Sequence, residues 1–247
     1  MIALDLCGIH GINAQNLPPI QLDRPDQTEC PFITPVHYIQ MENGVNLENI
    51  NKESRSFVYP TSLIKYGINE KFELRFIAEY ITLQNAGKNQ SGLTPVTVGF
   101  KTALMEEKGI LPKTSFIGHI TTSKAGSKDF QTPYLAPSFR FTMQHTVSKK
   151  MVLAYNLGAE WNGIDPDENY IYTLTTGFSL TERLGCYTEL YGFIRPYMNP
   201  DHRCDGGFTY LVNHNFMMDI SGGFGLTENA PQNYISLGLS YRFKVGK

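Results

Sequence analysis

The chain has 247 residues, enough for one large all-β domain or two small ones. Its net charge of −2 and pI near 6.3 argue against a nucleic-acid binder, which carries a basic surface. Only 18% of residues are charged, and no run of apolar residues is long enough for a membrane-spanning helix. The mean hydropathy of −0.24 leaves a membrane barrel open, because a polar lumen-facing half masks the lipid-facing half in any average.

In chain order, residues 1–14 read as the remnant of a secretion signal. The stretch Ile2–Ile12 is mildly apolar, and Asn13-Ala14-Gln15 offers a small residue before a polar one at a cleavage point. With Asp5 and His10 interrupting the apolar run and no basic residues ahead of it, the full signal is expected to begin upstream. Residues 15–35 hold Pro18, Pro19, Pro25, Pro31 and Pro35, which excludes a helix or a central strand and predicts an extended segment.

From Val36 onward, twelve stretches alternate bulky apolar side chains with small or polar ones, the period of a strand with one apolar face. They fall near Val36–Leu47, Ser56–Tyr66, Lys71–Leu83, Thr94–Met105, Lys113–Thr122, Tyr134–Thr146 and Lys150–Trp161. The remainder lie near Tyr170–Leu180, Leu184–Ile194, Asp205–Val212, Phe216–Leu226 and Tyr234–Phe243. The last is the clearest: Ile235, Leu237, Leu239, Tyr241 and Phe243 alternate with Ser236, Gly238, Ser240 and Arg242. Such stretches match the ~9–11 residues with which a tilted strand crosses a bilayer. Short turns alternate with longer polar connections, among them Leu47–Arg55, Asn85–Leu93, Ser123–Pro133 and Asn162–Asn169. Outer-membrane barrels sort their connections in this way, and an even strand number returns both termini to one side. The prediction is an all-β fold: a single 12-stranded antiparallel transmembrane β-barrel over 36–247, with a short extended segment before it, in the outer membrane of a Gram-negative bacterium.

Lys or Arg facing lipid at the midplane costs about 2–4 kcal/mol, so strand charges must point inward. The predicted lumen set is Glu42, Lys65, Glu73, Arg75, Glu79, Lys101, Arg140, Glu160, Glu189, Asp219 and Arg242. Its mixed sign fits either cross-strand ion pairs that fill a narrow barrel or a polar pathway without ring selectivity. Tyr38, Tyr66, Tyr80, Trp161, Tyr170, Tyr172, Tyr187, Tyr197, Tyr234 and Tyr241 are candidates for the aromatic girdles at the two interfaces, or for ordinary strand formers.

Cys7, Cys30, Cys186 and Cys204 have no metal-site spacing. Cys186 and Cys204 fall on successive strands, where either a disulfide or two small apolar fillers would fit. His119 and Ser115 share one strand but lack any oxyanion device, and no GxSxG, HExxH or phosphate loop occurs. No catalytic residue, cofactor or metal is expected. Asp165-Pro-Asp167-Glu168 is an acidic loop that is better read as solvated than as a Ca²⁺ site.

Asp23-Arg-Pro-Asp-Gln-Thr-Glu29, just ahead of the first strand, resembles the opening motif of the outer-membrane β-barrel family labelled as transporters of the phenol meta-pathway (MetA-pathway) of degradation. Leu63-Ile-Lys-Tyr-Gly-Ile-Asn-Glu-Lys-Phe-Glu-Leu-Arg75 is similar to that family's pattern of a basic residue, Tyr-Gly, a turn and Glu-Leu-Arg. The ending Tyr241-Arg-Phe243 looks like the final strand that barrel-assembly machinery recognises. The resemblance implies passage of small molecules, aromatic or hydrophobic ones among them, with outer-membrane lipids, solutes and the assembly machinery as partners. It also implies a plug in which Asp23, Arg24, Asp26 and Glu29 meet Lys65, Arg75 or Arg242; a solvated leader is the other reading. Two further readings stay open: a filled barrel serving as structural or accessory subunit of an outer-membrane assembly, and a soluble lipid-binding barrel.

Overall fold

The structure is a computed structural model that describes residues 17–246, so the signal-like stretch, Cys7, Gln15 and Asn16 lie outside the described residues. Its strands are β1 (Tyr38–Asn49), β2 (Ser54–Asn69), β3 (Phe72–Asn85), β4 (Lys88–Leu93), β5 (Thr97–Met105), β6 (Lys113–Thr121) and β7 (Ala136–Ser148). They continue as β8 (Met151–Glu160), β9 (Asn169–Ser179), β10 (Leu184–Ile194), β11 (Asp201–Asn213), β12 (Phe216–Gly225) and β13 (Asn233–Lys244). All of them except β4 form a closed antiparallel ring of 12 strands. The ring closes where β1 meets β13, in register from Tyr38 opposite Lys244 to Asn49 opposite Asn233.

Closure removes the sheet edges, so the backbone needs no outside partner. The alternation then inverts the usual core. On β13, Ile235, Leu237, Leu239 and Tyr241 face out, each about half exposed in the protein alone, while Ser236, Ser240 and Arg242 face in and are buried. Leu74, Phe76, Val98, Ile120, Leu157 and Ile220 continue the outward apolar band on other strands. Short turns at 70–71, 149–150 and 214–215 gather at one end with the start of β1, the end of β13 and the longer connection 106–112, and most of the long connections gather at the other.

Three local features depart from the sequence reading. The connection expected at Leu47–Arg55 shrinks to residues 50–53, because β1 and β2 run further than their apolar alternation does. The connection expected at Asn85–Leu93 contains β4, which hydrogen-bonds to the outer half of β3 while β5 pairs with its inner half. Ala86 and Gly87 make its tight turn with φ of 47° and 80°, the left-handed pair that a two-residue hairpin demands. Third, β11 begins at Asp201 rather than Asp205. Pro60, which cannot donate to a ladder, sits where the register shifts between Val58 and Thr61.

Candidate functional site

The barrel interior is crossed by residues 17–35, which enter from the short-turn end. There Ile20 N–H donates to His214 O at 2.9 Å and Arg242 Nη2 donates to Pro18 O at 2.8 Å. Five prolines keep this segment out of the surrounding ladder, so its backbone groups are satisfied by lumen side chains instead. Gln40 Nε2 donates to Gln21 O at 2.7 Å, Ser115 Oγ to Pro31 O at 2.6 Å, and Arg140 Nη1 to Gln27 O at 3.0 Å. Asn156 both accepts from Glu29 N–H at 2.7 Å and donates to Glu29 O at 3.0 Å. Among the described residues, hydrogen bonds or ion pairs tie the segment to every ring strand but β11.

Asp23 is the anchor. Its carboxylate accepts from Lys65 Nζ at 2.9 Å, Arg75 Nη1 at 2.8 Å and Lys101 Nζ at 2.7 Å, and its own N–H donates to Glu42 at 2.9 Å. Lys65 also reaches Glu42 at 2.5 Å, and Arg75 reaches Glu73 at 3.1 Å and Glu29 at 2.5 Å. Lys65, Lys101, Glu42 and Glu73 are all at most 1% exposed. Charges this deeply buried hold only while paired; removing one partner of such a set costs about 3–5 kcal/mol.

Arg24 turns the other way and lies in a notch. Its guanidinium donates to Asp219 Oδ1 at 3.1 Å and Ser236 Oγ at 2.9 Å, above Gly44 and Gly238, which pair across the β1–β13 junction. A Cβ at Gly44 would lie 2.2 Å from the guanidinium, so only glycine leaves room. Further along, Gln27 N–H donates to Glu189 Oε2 at 2.8 Å, and Thr28 Oγ1 meets Glu189 Oε1 at 2.5 Å beside Thr173 and Thr175.

The remaining lumen candidates sit elsewhere. Glu79 stands in the outer half and accepts from Thr61 Oγ1 at 2.8 Å. Glu160 lies at the outer mouth, 3.9 Å from Arg140. Arg242 meets no acid of the segment, because its guanidinium is already spread over Pro18 O, His214 O and Asn215 Oδ1. Asp26 meets no cation; it faces Glu189 and Asp205.

Other side chains were not legible as site members. Asp205 is buried opposite Glu189 and accepts from Tyr234 Oη, and Tyr191 is only 2% exposed. Tyr187, Tyr191 and Tyr234 therefore belong to the interior and not to a girdle. Strand parity carries that signal: Tyr187 and Tyr191 share the phase of Glu189, and Tyr234 that of Ser236 and Arg242. His119 accepts from Arg75 Nε at 3.0 Å, so it and Ser115 serve the segment's surroundings and form no catalytic pair. Cys186 and Cys204 are free thiols lying opposite Phe208 and Leu190, out of register for a disulfide. In the outer loops Arg195 takes Asp165 and stands 3.8 Å from Asp167. That hydrogen bond holds the Asp165 carboxyl below the usual carboxylate range, and among the described residues no cluster has the composition of a metal site.

Two cavities lie towards opposite ends of the barrel, and the segment lines the inner one. The inner one, about 460 Å³, opens among the short turns and is roofed by Arg24, Asp26, Thr28 and Tyr187. The outer one, about 540 Å³, is lined by Glu160, Trp161, Phe193, Arg195 and Arg203. Arg203 is held there by Asp201 at 2.6 Å and Glu48 at 2.9 Å, with Phe193 below its guanidinium at 5.5 Å.

Residues 22–243 match the family described as "Putative MetA-pathway of phenol degradation". The chain belongs to that family. Its barrel superposes on a solved outer membrane channel from Pseudomonas putida F1 with a TM-score of 0.69, at 11% identity, over 90% of this chain and 100% of that one. The KdgM porin gives 0.55 at 12% identity over 83% and 99% of the two chains. The NanC porin gives 0.55 at 9% identity over 82% and 98%. No curated protein sequence matches. Family, closed ring and apolar outer belt place the protein in the bacterial outer membrane, with lipid covering the half-exposed face. That excludes the soluble lipid-binding barrel.

Proposed function

We propose that this family member is an outer-membrane channel for passive passage of small molecules, aromatic or hydrophobic ones among them, with residues 15–35 as its plug. One observation carries this reading. The segment is bonded to nearly the whole ring, mostly through polar and ionic contacts that water can replace, with Ile20 and Pro31 as its fully buried apolar side chains, and it roofs the inner of two cavities. A device held mainly by polar bonds suits a removable stopper better than a permanent core. The family description points to phenolic chemistry, and a polar lumen with Tyr187, Trp161 and Phe193 on its cavity walls offers such solutes both hydrogen bonds and ring faces. No catalysis or energy coupling is part of the reading, and the Tyr241-Arg-Phe243 end of β13 is the segment offered to the assembly machinery.

Liposome swelling with neutral solutes of graded size and aromaticity tests it. Native protein should pass the smallest solutes slowly, and Asp23→Asn should pass them several-fold faster. The near-zero exposure of Lys65, Lys101, Glu42 and Glu73 favours a second reading, a filled barrel acting as accessory subunit. Zero swelling from both proteins, with partners that co-purify, would establish that reading instead.

A further inference from the structure

The two cavities approach each other along one wall only. On β10, Tyr187 faces the inner cavity and Phe193 the outer one, and the inward positions between them are Glu189 and Tyr191. On β11 the same boundary lies between Thr209 and Arg203, on β9 between Thr175 and Asn169, and on β8 between Ala154 and Glu160, where Asn156 is tied to Glu29 of the segment. At ~3.4 Å per residue, Tyr187 and Phe193 are about 20 Å apart along the strand, so the barrier is two side chains thick. The wall built from β2, β3 and β5 differs: Lys65, Glu73 and Lys101 fill it around Asp23, and the inner cavity touches none of those strands.

Charge divides the same way. Among the described residues Asp26, Glu189 and Asp205 take part in no ion pair, although Glu189 and Asp205 are directly opposed and almost fully buried. Among the described residues, Asp205 Oδ1 and the Tyr187 hydroxyl are buried with no hydrogen-bond partner within normal geometry. What covers this acidic strip is the single turn Asp26–Thr28, held to Glu189 by the Gln27 N–H and the Thr28 hydroxyl.

Building on the channel reading above, we propose that the conducting route runs along the inner surface of β9–β11, that Thr28 on Glu189 is its latch, and that its carboxyl groups, hydrated and ionised once the latch opens, pass neutral and cationic solutes in preference to anions. A carboxylate-lined constriction raises the local concentration of cations and opposes anions. The anchor at Asp23 can stay seated while this side opens, because the two contacts share no side chain.

The test is planar-bilayer recording of the full-length protein under a KCl gradient, with heat-modifiable gel mobility confirming folded barrels. Thr28→Val and Tyr191→Ala should each raise mean conductance several-fold. Ile117→Ala, an equally buried inward position on β6, should not. The reversal potential should show potassium preference, and Glu189→Gln should move it towards zero. Chloride preference, or an Ile117→Ala gain that matches Tyr191→Ala, overturns the route. So does native-like conductance of Thr28→Val and Tyr191→Ala while Asp23→Asn conducts strongly, and the channel itself then stands. Silence of every protein, Asp23→Asn included, overturns both.

Discussion

The two halves of the lumen solve the same problem, burying polar groups in a membrane-sized cylinder, by opposite means. Around Asp23 the wall of β1, β2, β3 and β5 brings cations and carboxylates together, each with a partner within hydrogen-bonding distance. Around Thr28 the wall of β9, β10 and β11 brings carboxylates and hydroxyls together, and among the described residues its one cation, Arg203, is spent on Asp201 and Glu48 at the outer end. The first arrangement is strong where it is complete and costly where it is broken. The second is weak everywhere, since neutral or singly charged hydrogen bonds contribute about 0.5–3 kcal/mol each. One extended segment is thus pinned along one side and merely latched along the other.

The largest effect that would break this contrast is loss of the anchor. Asp23→Asn should cost the seated segment about 3–5 kcal/mol, because three buried cations lose their shared acceptor. Hydrogen exchange read by mass spectrometry should show amides 17–35 exchanging quickly while those of β6–β9 stay protected. Protection unchanged throughout would mean that the anchor does not hold the segment. Gly44→Ala comes next, because its methyl must expel the Arg24 guanidinium; overpacking of this kind costs about 1–3 kcal/mol. Faster exchange should then be confined to residues near Arg24. Thr28→Val should cost only ~1 kcal/mol and loosen residues 26–29 alone. If its effect equals that of Asp23→Asn, the two sides are not distinct.

The smallest effect is expected in the outer loops. Arg195 keeps the Asp165 carboxyl below its ordinary range, so the pair is intact at neutral pH and disappears as pH falls through that lowered value. Asp165→Asn should mimic acid there and leave the melting temperature unchanged, because a half-exposed surface ion pair contributes little to stability. Calorimetry at neutral pH checks this.

All ring strands were legible because lipid outside and water-like side chains inside enforce a strict alternation, which a sequence shows directly. β4 was not, since Lys88-Asn-Gln-Ser-Gly lies beyond the lipid and has no reason to alternate, and Ala86-Gly87 is a less familiar pair for its turn. The start of β11 was hidden for a similar reason. Asp201 and Arg203 read as loop charges, but they form a bidentate pair with each other at the outer mouth. Which lumen residues meet the segment was beyond the pattern altogether. Nothing local in Lys101 or Asn156 tells that one will hold Asp23 and the other Glu29, since that choice is made by the path of the chain through the cylinder.

The junction of β1 with β13 is where the ring closes without a connecting hairpin. Arg24 lies across it, with Gly44 and Gly238 beneath its guanidinium and Ser236 and Asp219 accepting its protons. Arg24 N–H meanwhile donates to Glu42 on β1, so prising the cylinder apart sideways at that seam would break either that bond or the guanidinium's bonds to β12 and β13, and the stopper doubles as a rivet against lateral rupture.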